Sequence, residues 1–354
     1  MQRLKRSRRD RGAVAIWVGV LMVPFLVLSA LAIDIASMNA DQQRLQTGAD
    51  AAALAVAQQC GHGTNCNTTS AQTTAGQLAG ANDPMGGHAA AAVDLDTARG
   101  IVEVETSSTR DYLFGPVIGV ESTDVSARGA AQWGYPTGGA HFPLAISWCE
   151  VLHFSRATPI YNAAGQVIGL DIPPTSGNVT IYAKSNRSSD FHACPSGTRF
   201  PPPPPSGPNG AAPAGGFSWL VESGTGTCAG LATTSGMWIS SDTGNDRPDH
   251  CSAADVRSMI GTSMLLPVYD RTNGLTGSNA KYHIFGYIGF RLESFYFGSG
   301  YSSAPAAAEP CGNPARCIRG AIVEFVDLDD AMTISPSGPQ FGASIVQLRL
   351  PEGG

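Results

Sequence analysis

The apolar and polar positions at the start of the chain predict one long helix. Gly12 to Ile33 is a run of 22 residues that carries no charge. A run of this length can cross a hydrocarbon core about 30 Å thick as a helix. Beyond it, apolar residues recur at alternating spacings of four and three, interrupted once by Gln42. We call this stripe the helix seam, and its apolar members are Leu31, Ile35, Met38, Leu45, Ala49, Ala52 and Val56.

The predicted helix has a membrane part and a stalk. A basic tail, residues 1–12, precedes the transmembrane helix at residues 13–33. Residues 34–59 continue the same helix as a stalk, which is expected to end at a glycine cap formed by Cys60-Gly61. Two interpretations of the seam remain open, because an apolar stripe on a stalk can pack on the chain's own outer part or pair with a partner helix.

A cleaved signal peptide is the alternative to a membrane anchor. Ala30-Leu31-Ala32 offers the A-x-A pattern that signal peptidase recognises. The apolar run, however, exceeds the ~7–15 residues of a signal-peptide core. The helical pattern also continues past this position without a break. The sequence therefore favours a permanent anchor.

The pattern changes to strand-like alternation after the helix. Residues 60–137 are predicted to form a small α/β membrane-proximal unit, in which Val102 and Val104 alternate with Glu103 and Glu105. Residues 138–354 are predicted to form a β-rich outer domain. Its Pro-rich loop, residues 199–216, cannot join a sheet because consecutive prolines supply no backbone donors. The other expected strands are 141–148, 179–184, 263–270, 317–327 and 280–298, and in the last of these Gly286 and Gly289 mark a bulge or a close backbone approach.

Composition and charge narrow the class of protein. Gly 42 and Pro 24 are close to a fifth of the chain, and charged residues are 14%, which suits a turn-rich β protein. Residues 1–11 hold six Lys/Arg against one acid, so that the rest of the chain sums to −11 from the total of −6. The positive-inside rule therefore places the N-terminus in the cytoplasm and the C-terminal region outside. Nucleic acid is not an expected partner, since the predicted folded part lacks a basic face.

Eight cysteines lie between Cys60 and Cys317, which indicates an oxidising compartment. Eight cysteines allow about 105 connectivities. Proximity in sequence favours four local disulfides, although either member of the second pair could instead reach Cys228. The favoured pairs are Cys60–Cys66, Cys149–Cys194, Cys228–Cys251 and Cys311–Cys317.

A group of motifs marks residues 8–59. Arg11 and Gly12 open the segment, Asp34 follows the membrane helix, and the stalk contains L-Q-x-x-A-D-A-A-A-L-A, which begins with Leu45-Gln46 and includes Ala49-Asp50. This combination resembles the N-terminal module of TadE/TadG-like proteins of the tight-adherence (Tad/Flp) pilus system.

The resemblance implies a role in pilus assembly and partners among other Tad or pilin-like membrane proteins. Some members resemble prepilins with Glu at the fifth position after a glycine. That position here is Trp17, which implies permanent anchoring. Short apolar motifs at residues 142–149, 216–220 and 266–270 also look like the outer region of long TadG-like proteins.

Catalytic and metal-binding signatures are absent from the sequence. It contains no G-x-S-x-G, no H-E-x-x-H and no G-x-x-x-x-G-K-[ST]. His192 with Cys194, or Asp249-His250-Cys251, could ligate a metal, but each cysteine has a better use in a disulfide. The acidic run at residues 242–249 could bind calcium and is more simply a solvated loop. We expect no catalytic residue, metal or cofactor.

The sequence therefore predicts an α+β protein in which a long N-terminal transmembrane and stalk helix precedes a disulfide-stapled, β-rich extracytoplasmic region. Its expected function is that of a non-enzymatic, single-pass structural component of Tad (Flp) pilus assembly, with the lipid bilayer and other assembly proteins as partners. The alternative is a membrane-tethered or secreted hydrolase, or a ligand-binding β domain.

Overall fold

The structure is a computed structural model of the 354-residue chain. It describes residues 11–63, 65–82, 90–139, 142–173, 177–183, 192–203, 210–213, 215–221, 228–230, 233–234, 236–241, 248–276, 279–298, 300–303, 316–323, 333–342 and 344–352.

Helix α1, Arg11–Gly61, is 51 residues long. At 1.5 Å per residue its length is about 76 Å. A tight turn closed by the disulfide Cys60–Cys66 leads from α1 into α2, Thr68–Ala81. The side chain of Asn67 caps α2 by accepting a hydrogen bond from the Ser70 N–H at 2.9 Å, as expected for asparagine at this position.

A membrane-proximal antiparallel sheet packs on the second half of α1. Its strands are β1, Ala90–Asp96, β2, Ile101–Asp111, and β3, Ser122–Gly139. A short 3-10 helix, Gly115–Ile118, lies in the connection between β2 and β3. The side of the sheet that carries Val102 and Val104 is covered by α1 and α2, whose contacting residues are mostly alanines.

The chain beyond β3 contains two short helices and the remaining strands. The helices are α3, Trp148–Ser155, and α4, Ala253–Ser258. The strands that precede the last one are β4 Leu144–Ser147, β5 Thr158–Tyr161, β6 Val167–Asp171, β7 Val179–Tyr182, β8 Phe217–Trp219, β9 Thr233–Thr234, β10 Trp238–Ser240, β11 Ser263–Thr272, β12 Lys281–Gly298, β13 Tyr301–Ser302, β14 Cys317–Val323 and β15 Thr333–Ser335.

Most of these strands form a second, larger sheet, on which the outer part of the chain is built. Its strands run in the order β7-β14-β12-β11-β4-β8, and β10 and β13 also pair with β12. β4 and β11 are parallel, whereas β5 and β6 form a separate hairpin.

The core of the outer part is aromatic. Trp148 and Phe341 are almost completely buried and meet edge to face with ring centroids 5.5 Å apart. Gly286 in β12 lies directly against Phe341, because a Cβ atom there would be 2.5 Å from the ring. The neighbour that approaches Gly286 is thus a side chain, and the β11–β12 register also shifts beside Gly286.

The last strand returns to the membrane-proximal sheet. β16, Ile345–Arg349, pairs antiparallel with residues 130–134 of β3, and β9 and β15 pair with the far end of β3. Strands from the predicted outer domain, residues 138–354, therefore also pair with β3, which is long enough to offer hydrogen-bonding edges to distant parts of the chain. Local sequence patterns do not reveal such pairings.

The predicted fold class, a long apolar helix followed by a disulfide-stapled β-rich region, is confirmed. Three of the four predicted disulfides are present: Cys60–Cys66, Cys149–Cys194 and Cys228–Cys251. The fourth predicted pair includes Cys311, which lies outside the described residues.

Candidate membrane and assembly surface

The first half of α1 exposes an apolar surface. From Val14 to Ile33 its large apolar side chains are between 49% and 70% exposed. A continuous apolar surface of this size is not stable in water and marks contact with lipid or protein. Within the described part of the chain, α1 is the one helix long and apolar enough to cross a membrane. The helix runs through Ala30-Leu31-Ala32, where the signal-peptidase pattern lies, without interruption.

Asp34 ends this exposed half and is only 2% exposed. Its carboxylate accepts hydrogen bonds from the backbone N–H groups of Leu113 at 3.0 Å, Phe114 at 3.1 Å and Gly115 at 3.0 Å. These three residues lie in the connection between β2 and β3, just before and at the start of the 3-10 helix. Asp34 therefore ties α1 to the end of the hairpin, and the negative charge is compensated by N–H donors.

The family motif in the stalk docks α1 onto the sheet. Leu45 is 3% exposed and packs with Val125 and Ala127 of β3. Its carbonyl oxygen accepts a hydrogen bond from the buried Thr106 hydroxyl at 3.0 Å. The Leu45 side chain and backbone thus bind two different strands.

Gln46 and Asp50 strengthen the same contact. The Gln46 side-chain amide donates to the Asp50 carboxylate at 3.0 Å and to the Arg128 carbonyl of β3 at 2.8 Å. Gln46 has two side-chain N–H donors, so that it can bind the next turn of the helix and the neighbouring strand at the same time.

Two other residues of the motif, Arg11 and Gly12, lie at the opposite end of the helix. Arg11 is the first residue of α1, with Gly12 in the same first turn.

The helix seam is divided between two environments. Leu45, Ala49, Ala52 and Val56 are buried against the chain's own sheet and α2. Leu31 and Ile35 are 49% and 52% exposed, and with the half-buried Met38 they border a groove beside the hairpin. Of the two interpretations left open by the sequence, the structure shows self-packing for the second half of the seam.

The end of the β2–β3 hairpin is a segment for which the sequence indicates a short helical or looped stretch, beginning at Asp111. We call residues 112–120 the hairpin tip. Its sequence, YLFGPVIGV, contains no charge. Leu113, Phe114, Val117 and Val120 are 69%, 43%, 85% and 44% exposed. The uncharged apolar sequence of the tip is the signal that could have marked it as a contact surface. Its nearness to the membrane helix could not be predicted from the sequence, because it depends on the hydrogen bonds to Asp34.

A buried carboxylate, Glu150 of α3, organises one side of the outer part. It accepts hydrogen bonds from the backbone N–H groups of His192 at 2.6 Å and Gly216 at 2.7 Å, and lies 3.0 Å from His192 Nδ1. The His192 ring stacks on His153 at a centroid distance of 3.4 Å. Burial and the neighbouring His192 lower the pKa of His153, and Glu150 partly opposes this.

A second buried pair joins β11 to β12. His283 Nδ1 lies 2.5 Å from the Asp270 carboxylate, and Arg271 lies 3.6 Å from the other oxygen of that carboxylate. Asp270 is 0% and His283 3% exposed. The Asp270–His283 contact therefore joins two neighbouring strands, as the hydrogen bonds of Glu150 join α3 to residues 192 and 216.

The residues considered as metal ligands have other surroundings. Cys194 and Cys251 are in disulfides, while residues 242–247 of the acidic run lie outside the described residues. Within the described ranges, no group of three or more His, Cys, Asp or Glu side chains is close enough to hold a metal ion.

Comparison with known families agrees with the geometry of the helix. Residues 12–59 match the family model described as a putative Flp pilus-assembly TadE/G-like domain, named Tad. Comparison with curated proteins gives no match, and neither does comparison with solved structures. The resemblance of the N-terminal module to TadE/TadG-like proteins is thereby confirmed. The matched segment ends within α1, so the likeness of the outer region to long TadG-like proteins stays a prediction.

The Tad domain supports a role in Tad pilus assembly and indicates a structural protein rather than an enzyme. It also indicates other components of that apparatus as partners. The apolar N-terminal helix is consistent with a membrane-anchored protein of this kind.

Proposed function

We propose that this protein is a single-pass, membrane-anchored structural component of the apparatus that assembles Tad (Flp) pili. The observation that carries the proposal is the division of one helix within the Tad domain. Its first half exposes an apolar surface without a charged side chain, and its second half is docked on a folded β structure. Such a helix holds the β-rich part at a fixed height above the bilayer.

The N-terminus is proposed to lie in the cytoplasm and the β-rich part outside. Six basic residues precede the span, and the first basic residue after it is Arg44, an asymmetry that sets orientation. The three disulfides support an extracytoplasmic β-rich part, because disulfides persist in oxidising compartments. Cleavage after Ala32 would separate the apolar half of α1 from Asp34 and leave the protein without its anchor.

Partners are proposed among other membrane proteins of Tad assembly. The second half of the seam is buried in the chain's own fold. The surfaces left for partners are therefore the membrane-spanning half of α1 and the outer sheet. The hydrolase alternative has less support, because the Asp270–His283 pair is buried between β11 and β12, and the buried Glu150 carboxylate is bonded to two backbone N–H groups.

Topology is tested by adding protease to intact spheroplasts that contain the protein with epitope tags at both ends. We expect loss of the C-terminal tag and retention of the N-terminal tag. N-terminal sequencing of the mature protein should give residues upstream of Gly12. A protected C-terminal tag, or a mature chain that begins at Ile33, would show that the proposed anchoring is wrong.

The role in assembly is tested in the bacterium itself. Deletion of the gene should remove Tad pili from the cell surface, and the wild-type gene supplied in trans should restore them. Crosslinking of intact membranes followed by purification of the tagged protein should recover other Tad components. Normal piliation in the deletion strain would contradict the proposal, whatever its membrane topology.

A further inference from the structure

The hairpin tip combines exposed apolar side chains with backbone N–H groups that are hydrogen-bonded within the protein. Tyr112 N–H donates to the Glu121 carbonyl, Val117 to Phe114, Gly119 to Pro116 and Val120 to Gly115, at 2.9 to 3.2 Å. Pro116 has no N–H to satisfy.

The remaining N–H groups at the front of the tip are those of Leu113, Phe114 and Gly115, and all three are bonded to Asp34. A loop in water does not need internal partners for its N–H groups, since water supplies them. In hydrocarbon every unpaired backbone group costs several kcal/mol, so segments there must be internally hydrogen-bonded. The tip meets this requirement at the seven N–H groups named here, and three of them are bonded to a carboxylate of the membrane helix.

The tip also lies at the depth of the membrane. A groove of about 600 Å³ separates it from α1, and the helix side of that groove extends from Leu26 to Met38. Leu26 is eight residues before Asp34, which is about 12 Å along a helix towards the cytoplasm. If the hydrocarbon core begins near Val14 and is about 30 Å thick, it ends near Ile33. The groove residues from Leu26 to Ile33 are thus level with the outer leaflet, and Asp34, which binds the tip, lies at its outer edge.

We propose that the hairpin tip is immersed in the outer leaflet of the bilayer and that an acyl chain of a phospholipid fills the groove between the tip and α1. The proposal rests on the single-pass anchoring proposed above. A lipid chain fits because the groove is apolar along both walls and continuous with the membrane-spanning surface. The seam residue Leu31 then contacts the lipid chain, whereas Ile35 and Met38 lie about 3 and 8 Å beyond the core, at the level of the headgroups.

Immersion of the tip gives the protein two points of attachment. A single helix allows the outer part to tilt and rotate about the helix axis. A second apolar contact, held rigidly to α1 by Asp34, fixes one face of the membrane-proximal sheet towards the bilayer. The outer sheet would then be presented to its partners in a defined orientation.

The proposal is tested by photocrosslinking of the full-length protein in vesicles of phosphatidylethanolamine and phosphatidylglycerol. The photoreactive residue p-azidophenylalanine replaces one residue at a time. Val117 is the test position because it is 85% exposed and its replacement leaves the packing unchanged. Val18 in the apolar half of α1 is the positive control, and Leu275 in the β11–β12 connection, 58% exposed, is the matched negative control.

Mass spectrometry of the irradiated protein should show a phospholipid adduct at position 117 with a yield close to that at position 18 and well above that at position 275. An adduct at position 18 without one at position 117 overturns immersion of the tip but leaves the anchor intact. No adduct at either position overturns the anchor itself. A crosslink from position 117 to a second copy of the chain or to another helix overturns the lipid as occupant of the groove.

Discussion

A Cβ atom on Gly129 would lie 2.5 Å from the backbone carbonyl carbon of Ala49, so strand β3 and helix α1 touch through their main chains at this point. Ala49 is itself 0% exposed. Small residues on both sides bring the stalk close enough for Leu45 and Gln46 to reach the strands. The position of this contact also sets how far the hairpin tip extends along the membrane part of α1.

Replacing Gly129 with Ala should force the helix away from the sheet. We expect a loss of about 1–3 kcal/mol in the free energy of unfolding, the usual cost of adding a methyl group to a tightly packed site. Thermal unfolding of the full chain in detergent, followed by circular dichroism, measures this. Gly76 in α2 has open space around its Cβ position. Gly76→Ala is therefore the matched control and should stabilise the helix by about 0.5–1 kcal/mol.

Loss of the Asp34 carboxylate should free the backbone of the hairpin tip. In Asp34→Ala the amides of residues 113–115 lose their acceptor, whereas Asp34→Asn keeps one oxygen and should have a smaller effect. Hydrogen exchange read by mass spectrometry should show faster exchange of a peptide over residues 112–116. A peptide over β1 is the internal control and should be unchanged. Equal protection in wild type and Asp34→Ala would contradict the assigned role of Asp34.

Leu45→Asp distinguishes the two interpretations of the helix seam. Because Leu45 is buried with Val125 and Ala127, an unpaired carboxylate there should disrupt the membrane-proximal fold. We expect the sheet to become sensitive to trypsin while membrane insertion is retained. Gln42→Asp, an exposed position one turn earlier, should remain resistant. A Leu45→Asp protein that keeps its resistance but loses copurifying partners would instead support a partner helix on this part of the seam.

His153 should make the outer part less stable in mild acid. Burial lowers its pKa below the ordinary value of 6.5, so that the folded protein binds the proton less tightly than the unfolded chain. Stability should therefore fall as the pH decreases below about 6.5, and the fall should end below the lowered pKa. His153→Gln should show a shallower decrease of the melting temperature between about pH 7.5 and 5.5. An unchanged slope in His153→Gln would contradict this assignment.

Peptide mapping under non-reducing conditions should identify four local disulfides. Cys60–Cys66, Cys149–Cys194 and Cys228–Cys251 are expected from the structure, and Cys311–Cys317 remains the sequence prediction. Removing Cys60–Cys66 by a double serine substitution should cost about 2–3 kcal/mol, the chain-entropy estimate for a short loop. Free thiol at several positions would contradict the disulfide-stapled fold.

The sequence by itself determined the long helix, its apolar half and the Tad motif. These are local features: a charge-free run of sufficient length, a repeat at helical spacing, and residues close together in the chain. Three disulfides were also predictable, because their cysteines are near neighbours among the eight. Strand β2 followed from alternation, since a half-buried strand records its two faces in every second residue. Strands β11 and β12 coincide with the expected strands 263–270 and 280–298.

Only the tertiary structure decided what the motif residues contact. Thr106, Gly129 and the tip residue Phe114 are between 60 and 83 positions away from their partners on α1, and nothing in their local sequence names those partners. The same holds for β16, whose pairing with β3 brings together residues more than 200 positions apart. Local patterns state which face of an element is apolar, but the surface that covers this face is chosen by packing of the whole chain. For that reason the seam could be found from the sequence, whereas its division between the chain's own sheet and the groove beside the hairpin tip could not.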